Sequence, residues 1–194
     1  SDILDLLKIE AGKLALEQAE FDLWALLESV EHGYAALAEA RALTLAMHVD
    51  AAVPRRVIGD ALRVRQILSN YLGNALKFTA KGSVRLTVSA GEGYHIRFEV
   101  EDSGPGIAPE VLPHIFEPFF TTKGVGKGTG LGLAMVHGIV MAHHGWIEVE
   151  SAPGSGTTFR ITLPRSGGAK SEPLHVAPGA RLTETHDTDA PGRA

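Results

Sequence analysis

Residues 61–78 read ALRVRQILSNYLGNALKF, and the order of apolar and polar side chains predicts an amphipathic helix from Ala61 to Phe78. Asp60 directly precedes this run and is a typical N-cap residue. At about 100° per residue, four polar side chains fall within an arc of roughly 80°, and apolar side chains fill the other side. The polar stripe is Gln66, Asn70, Asn74 and Lys77, and the apolar set is Ile67, Leu68, Tyr71, Leu72, Ala75, Leu76 and Phe78.

The polar stripe indicates either a functional site or an ordinary solvated face. Asn is a poor helix former, and a plain exposed face would more readily use Glu, Lys or Ala. Amide oxygens are hard ligands that can hold a partly hydrated Mg²⁺, and the ammonium of Lys77 could meet phosphates that share the metal. The helix alone leaves both interpretations of Asn70 and Asn74 open.

Short segments in which apolar and polar residues alternate lie on both sides of this helix and predict strands, of which the last four are joined as two hairpins. The predicted strands are residues 14–16, 43–49, 84–89, 95–101, 146–150 and 158–163. Two further helices are predicted over residues 23–37, with Asp22 as the cap, and over residues 130–143. Helices placed between hairpins predict an α+β fold, a two-layer sandwich with a mixed, mostly antiparallel sheet and helices on one face.

The two ends of the chain differ from the part between them. Residues 2–9 are rich in Ile and Leu and are predicted to be the end of a helix, which Gly12 stops. Residues 167–194 hold four Gly, three Pro and no aromatic, Ile or Met residue. Such a segment buries too little apolar surface to offset its ordering entropy, so a disordered tail or linker is predicted there.

Composition excludes several classes of protein. The chain has 194 residues, 18 Lys+Arg against 23 Asp+Glu, a net charge of −5 and no Cys. The absence of Cys excludes disulfides and Cys-ligated zinc, and the acidic balance argues against nucleic-acid binding. No apolar run reaches the roughly 20 residues that a membrane helix needs. We therefore expect a soluble, cytoplasmic chain with no membrane contact.

Two glycine-rich stretches follow the first predicted hairpin. In the first, Asp102-Ser103-Gly104-Pro105-Gly106-Ile107, a carboxylate stands at a strand end before two glycines. This is good tight-turn chemistry, and Asp102 could also accept a hydrogen bond from an exocyclic amine such as that of adenine.

The second stretch, residues 123–133 (KGVGKGTGLGL), holds five of the 22 Gly residues directly before a predicted helix. Exposed backbone amides that run into a helix N-terminus are typical of a phosphate site, whereas a plain linker would not lead straight into helical apolar spacing. Residues 115–120 (IFEPFF) anchor the other end of this loop, so the whole stretch is predicted to be a lid.

Five motifs in chain order carry a resemblance to a known family. They are N-x-x-x-N-A-x-K-F at 70–78, D-x-G-x-G at 102–106, F-E-P-F at 116–119, G-x-G-x-G-L-G-L at 126–133 and G-x-G-T at 154–157. Over residues 21–164 the chain resembles the catalytic ATP-binding domain of sensor histidine kinases, in the GHKL superfamily.

The resemblance implies a role for individual residues. Asn74 would ligate Mg²⁺ with support from Asn70, and Lys77 would contact the phosphates of ATP. Asp102 would bind the adenine amine, backed through a water by Thr157 or Thr158. The implied catalytic residues are Asn70 and Lys77. The further implied nucleotide contacts are Gly104, Gly106 and Ile107 at the base pocket, and Phe119, Lys123, Gly126, Gly128, Thr129, Gly130, Leu131 and Gly132 at the lid and phosphate cradle.

One position separates branches of this superfamily. Hydrolytic relatives of the gyrase type carry a Glu four residues before the metal-binding Asn, where this chain has Asn70. An amide cannot act as a general base near neutral pH, so we expect ATP to be held for transfer with little hydrolysis. A hydrolytic ATPase, or a nucleotide-binding regulatory module without phosphotransfer, remains the alternative.

The resemblance also implies the partners. Residues 1–13 look like the exit from a dimerising helical hairpin that carries the phosphoacceptor histidine, followed by the catalytic domain at 14–166 and the tail at 167–194. His32 and His48 lie in the wrong place to be acceptors. His186 and Pro191 match the H-[DE]-x-x-x-P spacing without an amphipathic helix after them. The acceptor is thus expected on a hairpin outside this chain, in a homodimeric parent kinase that passes phosphate to a response-regulator receiver domain.

Overall fold

A computed structural model describes residues 2–122, 130–164, 175–177 and 181–185. The helices are α1 (Asp2–Glu10), α2 (Leu23–Ala40), α3 (Ala61–Phe78) and α4 (Gly132–Ala142), with a 3₁₀ turn at Leu112–His114. The strands are β1 (Ala19–Asp22), β2 (Thr44–Val49), β3 (Arg56–Gly59), β4 (Ser83–Ala90), β5 (His95–Asp102), β6 (Trp146–Ser151), β7 (Thr157–Pro164), β8 (His175–Ala177) and β9 (Arg181–Thr185). None of the helices within these ranges is both long and apolar enough to cross a bilayer.

The main sheet has the strand order β2-β4-β5-β7-β6-β9-β8. Its β2–β4 pair is parallel and its other pairs are antiparallel. Along β4 the buried residues Val84, Leu86 and Val88 alternate with more exposed neighbours, because only one sheet face meets the helices. Helices α2, α3 and α4 contact β2, β5 and β6, respectively. The predicted two-layer α+β sandwich is confirmed.

The region before α3 departs from the predicted strands. Residues 14–16 lie in an irregular segment, although the side chain of Leu14 packs against the core. The first strand, β1, begins at Ala19 and pairs with β3 in a separate two-stranded sheet. The alternation of leucines was misleading because a partly buried irregular segment can also place every second side chain inward.

The C-terminal segment also differs from the predicted tail. Strand β9 pairs antiparallel with β6, and β8 pairs with β9. Without β9, β6 would be an edge strand with free backbone groups. A segment poor in apolar residues can pair with such an edge through backbone hydrogen bonds alone, which composition does not reveal. The rest of residues 167–194, including the H-[DE]-x-x-x-P spacing match at His186, lies outside the described residues.

Helix α1 docks against the start of α4 and against α3. Leu6 is buried in a small cluster with Leu131 and Ala134. At the other end of the contact, a Cβ on Gly138 would lie 2.5 Å from Cγ2 of Ile9, so the close approach requires glycine. These contacts attach the N-terminal helix to the element that follows the predicted lid.

An ion pair completes this docking. Arg63 Nη1 lies 3.1 Å from Asp5 Oδ2, and both side chains are largely shielded from solvent. Gln66 Nε2 also donates to Asp5 Oδ2 at 3.3 Å. The hydrogen bond from Arg63 is the main reason that the pKa of Asp5 is held below its usual range. α1 is therefore bound to the polar stripe of α3, one helical turn before Asn70.

Replacing Asp60 by Ala is expected to lower the free energy of unfolding by about 2 kcal/mol. Asp60 is 5% exposed, and its Oδ1 caps α3 by accepting from the backbone N of Arg63 at 3.1 Å. Its Oδ2 accepts from the backbone N of Glu17 at 3.0 Å, so the variant leaves two donors without partners. Urea unfolding measures the loss.

The matched control is Asp22→Ala, at the cap of α2. Asp22 accepts from the backbone N of Ala25 at 2.9 Å, but its side chain is 30% exposed and water can replace it. We expect a loss of about 1 kcal/mol there. Equal losses in the two variants would contradict the importance of the Glu17 contact.

Candidate nucleotide-binding site

A cleft of about 610 Å³ lies between α3, the loop after β5 and the start of α4. It contains most of the predicted site residues that the structure describes. Those lining it are Asn70, Asn74, Lys77, Asp102, Gly106, Ile107, Gly130, Gly132 and Thr157. Gly104, Phe119, Leu131 and Thr158 are described next to these residues and are not among its lining residues. The predicted Lys123, Gly126, Gly128 and Thr129 lie outside the described residues.

The polar stripe of α3 forms one wall of the cleft. Asn74 Nδ2 donates to Asn70 Oδ1 at 3.2 Å, which fixes the two amides relative to each other. Lys77 is exposed at the same end of the helix. Phe78, predicted on the buried side, is 44% exposed and lines the cleft, because it is the last residue of α3 and the helix no longer covers it.

The start of α4 approaches this wall closely. A Cβ on Gly132 would lie 2.6 Å from Nδ2 of Asn70 and 3.1 Å from its Oδ1. Any larger residue at position 132 would displace the Asn70 amide. The glycine in the predicted phosphate cradle therefore has a steric reason in this structure, independent of any ligand.

Asp102 stands at the opposite end of the cleft, at the last position of β5. Its Oδ1 accepts from the backbone N of Gly104 at 2.9 Å and from the backbone N of Thr157 at 3.3 Å. Desolvation nevertheless dominates and raises the pKa of Asp102 above its usual value. Asp102 is thus a partly buried acceptor held by two backbone donors.

The turn after Asp102 requires glycine at two positions. Gly106 has φ +76°, and a Cβ there would lie 2.0 Å from the carbonyl oxygen of Ala152. A Cβ on Gly104 would lie 2.9 Å from Asp102 Oδ1 and 3.2 Å from Thr79 Oγ1. The backbone therefore passes close to both the carboxylate and the neighbouring loop.

The structure distinguishes the two threonines that the sequence left open. The backbone N of Thr157 bonds Asp102, and Thr157 lines the cleft. Thr158 pairs across the sheet with Glu101 and Glu150, and its side chain points to the other face because neighbouring strand residues alternate. Thr157 is the residue that lies beside Asp102.

The two ends of the predicted lid meet at the cleft. The backbone N of Phe119 donates to the carbonyl oxygen of Gly130 at 2.9 Å. Phe119 has φ +65° and is 68% exposed, and Gly130 has φ +68°. The neighbouring Leu131 is buried against Leu6 of α1. This hydrogen bond joins the described residues on the two sides of the predicted lid.

Sequence reasoning missed two buried hydroxyls near Asp102. Ser151 Oγ accepts from the backbone N of Ile107 at 2.8 Å and lies 2.9 Å from Thr157 Oγ1. Thr79 Oγ1 is buried without a hydrogen-bond partner among the described residues. Both residues come from segments whose patterns fit an ordinary strand or helix end, so only tertiary pairing reveals them.

Comparisons with known proteins agree with this geometry. A family model described as histidine kinase-, DNA gyrase B- and HSP90-like ATPase matches residues 59–167. Hybrid signal transduction histidine kinase L of Dictyostelium discoideum is 38% identical over 189 residues, which cover 93% of this chain and 11% of that relative. The chain spans between 11% and 22% of the length of such curated relatives.

Solved structures give the same result. Full-length ShkA in complex with AMPPNP matches with a TM-score of 0.78 and 37% identity, over 87% of this chain and 35% of that chain. The catalytic domain of histidine kinase ThkA matches with a TM-score of 0.66 and 30% identity, over 77% of this chain and 96% of that chain. ThkA has also been solved in complex with the response regulator protein TrrA. This chain belongs to the family of histidine kinase-, DNA gyrase B- and HSP90-like ATPases, as an ATP-binding catalytic domain of the sensor histidine kinase type.

Proposed function

We propose that this domain binds Mg-ATP and transfers its γ-phosphoryl group to a histidine on a helical hairpin outside this chain. One observation carries the proposal. A single cleft brings a pair of amides and a lysine on α3 together with a carboxylate acceptor at the end of β5. These groups match the two ends of a nucleotide, phosphates at Asn70, Asn74 and Lys77, and the base at Asp102.

The donor set on α3 fits a hard metal ion. No group of three or more His, Asp or Glu side chains that could hold a metal occurs within the described ranges. Asn70 Oδ1 uses one of its two lone pairs to accept from Asn74 Nδ2, so its second lone pair and Asn74 Oδ1 can both serve a ligand. A Mg²⁺ ion there would neutralise phosphate charge, with phosphate oxygens and water completing its shell.

The residues of this chain would act by positioning and by charge. Lys77 places an ammonium at the phosphate end, and Gly132 leaves room for the Asn70 amide beside the phosphates. Asp102 would orient the base. In the transfer, the γ-phosphorus bond to the β,γ-bridging oxygen breaks, and its electron pair leaves with ADP. A phosphorus–nitrogen bond to the imidazole forms, and the ring proton is released to solvent.

The amide at position 70 favours transfer over hydrolysis. Asn70 stands where a hydrolytic enzyme would need a carboxylate to activate water, and an amide cannot take that proton near neutral pH. The Asn70 carbonyl oxygen also accepts a hydrogen bond from Asn74 Nδ2, which holds the Asn70 amide against its neighbour on the helix. The proposal therefore includes slow release of free phosphate.

The partners follow from the same proposal. We propose that residues 1–13 are the end of the hairpin, that 14–166 are the catalytic domain, that the domain is cytoplasmic, and that the parent kinase is a homodimer. A response-regulator receiver domain would take the phosphoryl group next, as a response regulator is bound to ThkA, which resembles this chain. The docking of α1 against α4 supports the continuity of hairpin and domain.

The test mixes this chain with a separately made hairpin of its parent kinase and γ-labelled Mg-ATP. Wild type is expected to label a hairpin histidine. Asn74→Ala removes the proposed metal ligand and is expected to lower the labelling rate about 100-fold, because phosphate charge is then less well compensated. Acid-labile, base-stable label on the hairpin is the measured product.

The matched control is Gly73→Ala, the neighbouring residue on the same helix. A Cβ at position 73 would lie 3.8 Å from the Tyr34 hydroxyl and 3.9 Å from its ring, both ordinary contacts, so this variant is expected to keep wild-type labelling. Bound ATP without any labelled hairpin would favour a regulatory module, and rapid phosphate release would favour a hydrolytic enzyme. Either result would overturn the proposal.

A further inference from the structure

The hydroxyl of Ser151 lies directly behind the base end of the cleft. Ser151 is 4% exposed, at the last position of β6. Its Oγ has three protein partners: it accepts from the backbone N of Ile107 at 2.8 Å, donates to the carbonyl oxygen of Gly156 at 3.0 Å, and lies 2.9 Å from Thr157 Oγ1. One buried side chain therefore joins both loops that shape the base end.

Hydrogen counting fixes the direction of the contact with Thr157. A serine hydroxyl has one hydrogen and two lone pairs. When that hydrogen goes to the Gly156 carbonyl, Ser151 Oγ has two acceptor positions, one for the Ile107 N–H and one for the Thr157 hydroxyl. This is the arrangement that satisfies all three partners at once, and buried polar groups are normally satisfied. Thr157 is then the donor, so its oxygen has only lone pairs left for any other partner.

The consequence is a base end made of two acceptors. Asp102 Oδ1 is held by the backbone N–H groups of Gly104 and Thr157, and its other oxygen has no hydrogen-bond donor among the described residues. Thr157 also lines the cleft, and it stands directly opposite Asp102 in the β5–β7 pair. Two acceptors side by side favour an amine or a water that donates hydrogen, and they repel a carbonyl oxygen.

We propose that Ser151 is a specificity-determining residue that holds the Thr157 hydroxyl as an acceptor and thereby makes the cleft select 6-amino purines over 6-oxo purines. Ser151 acts through Thr157 and is a positioning residue. The inference rests on the proposed placement of the base at Asp102. Without Ser151, the Thr157 hydroxyl could rotate and donate into the cleft, which would accommodate a 6-oxo group.

The test compares the dissociation constants of ATP and inosine triphosphate, which differ only in the 6-position and the N1 protonation that accompanies it. Ser151→Ala is expected to lower the preference for ATP about tenfold, the effect of one mismatched hydrogen bond. Ser151→Cys keeps the volume and weakens the hydrogen bonds, so it is expected to shift the preference in the same direction if the alanine variant does not fold.

Variants of Thr157 test whether Ser151 acts through it. Thr157→Val removes the hydroxyl and is expected to reduce the preference as Ser151→Ala does, whereas Thr157→Ser retains it. The double variant Ser151→Ala with Thr157→Val is expected to lose no more of the preference for ATP than either single variant. Once the Thr157 hydroxyl is gone, removing Ser151 has no further effect on it. Additive losses would overturn the inference.

Two controls separate the possible failures. Thr162→Val removes a buried hydroxyl, elsewhere on β7, that has no hydrogen-bond partner in the described part of the chain, and it is expected to leave the preference unchanged. If both Ser151 variants keep the wild-type preference for ATP and Thr157→Val loses it, the role of Ser151 is overturned while that of Thr157 stands. Wild-type ATP binding by Asp102→Asn would instead overturn the placement of the base, and with it this inference.

Discussion

Asp102→Asn is expected to lower the affinity for ATP about 100-fold. The two backbone N–H groups from Gly104 and Thr157 would hold the amide oxygen where Oδ1 now lies. The amide NH₂ would then occupy the place of Oδ2 and meet the exocyclic amine of adenine as donor against donor. Isothermal titration with Mg-ATP or a non-hydrolysable analogue measures the loss.

The same variant is expected to be more stable than wild type without nucleotide. Burial raises the pKa of Asp102, so the ionised carboxylate costs stability in the folded state at neutral pH. This cost is present above the folded pKa and vanishes as the pH falls below the unfolded value near 3.8, where both states are protonated. The gain from Asn should therefore be seen at pH 7 and disappear in acid.

The matched control is Glu101→Gln, the neighbouring carboxylate. Glu101 is exposed and points to the other face of the sheet, yet its charge also contributes to the raised pKa of Asp102. We expect wild-type ATP affinity from this variant. An Asp102→Asn protein that binds ATP normally, or that is less stable at pH 7, would contradict the proposed role of the carboxylate.

Gly156→Ala is expected to destabilise the domain by about 3 kcal/mol or more, a large part of the stability of a typical domain. Gly156 has φ +76°, and a Cβ there would lie 2.0 Å from the carbonyl oxygen of Asp102 and 3.0 Å from its carbonyl carbon. Backbone cannot move aside as a side chain can. The β5–β7 pairing at Asp102 and Thr157 would have to separate.

Gly154→Ala, two residues earlier in the same turn, separates the two causes of this loss. Gly154 has φ +79°, but a Cβ there would meet nothing within 4 Å. Only the strain of a positive φ applies to alanine there, so the free energy of unfolding is expected to fall by about 1 kcal/mol. Equal losses by urea unfolding in the two variants would show that the close approach to Asp102 is not what requires glycine at position 156.

The sequence predicted best those elements that have a capping residue and a long run of regularly spaced apolar side chains. Helix α3 has the predicted bounds, because Asp60 marks its start and eighteen residues keep one apolar face. The four-residue strands β1 and β3 were missed, since they are too short for alternation to stand out from irregular chain. Their pairing depends on neighbours far away in sequence.

The site residues divide in the same way, into those that local sequence motifs reveal and those that only long-range contacts reveal. Asn70, Asn74, Asp102 and Gly132 belong to local motifs, and the structure brings them into one cleft. Ser151 belongs to no local motif of this kind. Its partner Ile107 is 44 residues away, so only the folded arrangement of the strands brings the two together. Phe78 was misplaced because the helical period does not reveal that α3 ends there at the mouth of a cleft.

The pairing of Asp102 with Thr157 joins positions 55 residues apart in the chain. Ordering such a long loop costs entropy, so the contact needs the β5–β7 pairing to be in place. The base end of the cleft therefore exists only in the native state. A nucleotide that binds there cannot bind the unfolded chain. By mass action, ATP at one hundred times its dissociation constant would add about 2.7 kcal/mol to the stability of the fold, so the proposed substrate would also act as a folding ligand.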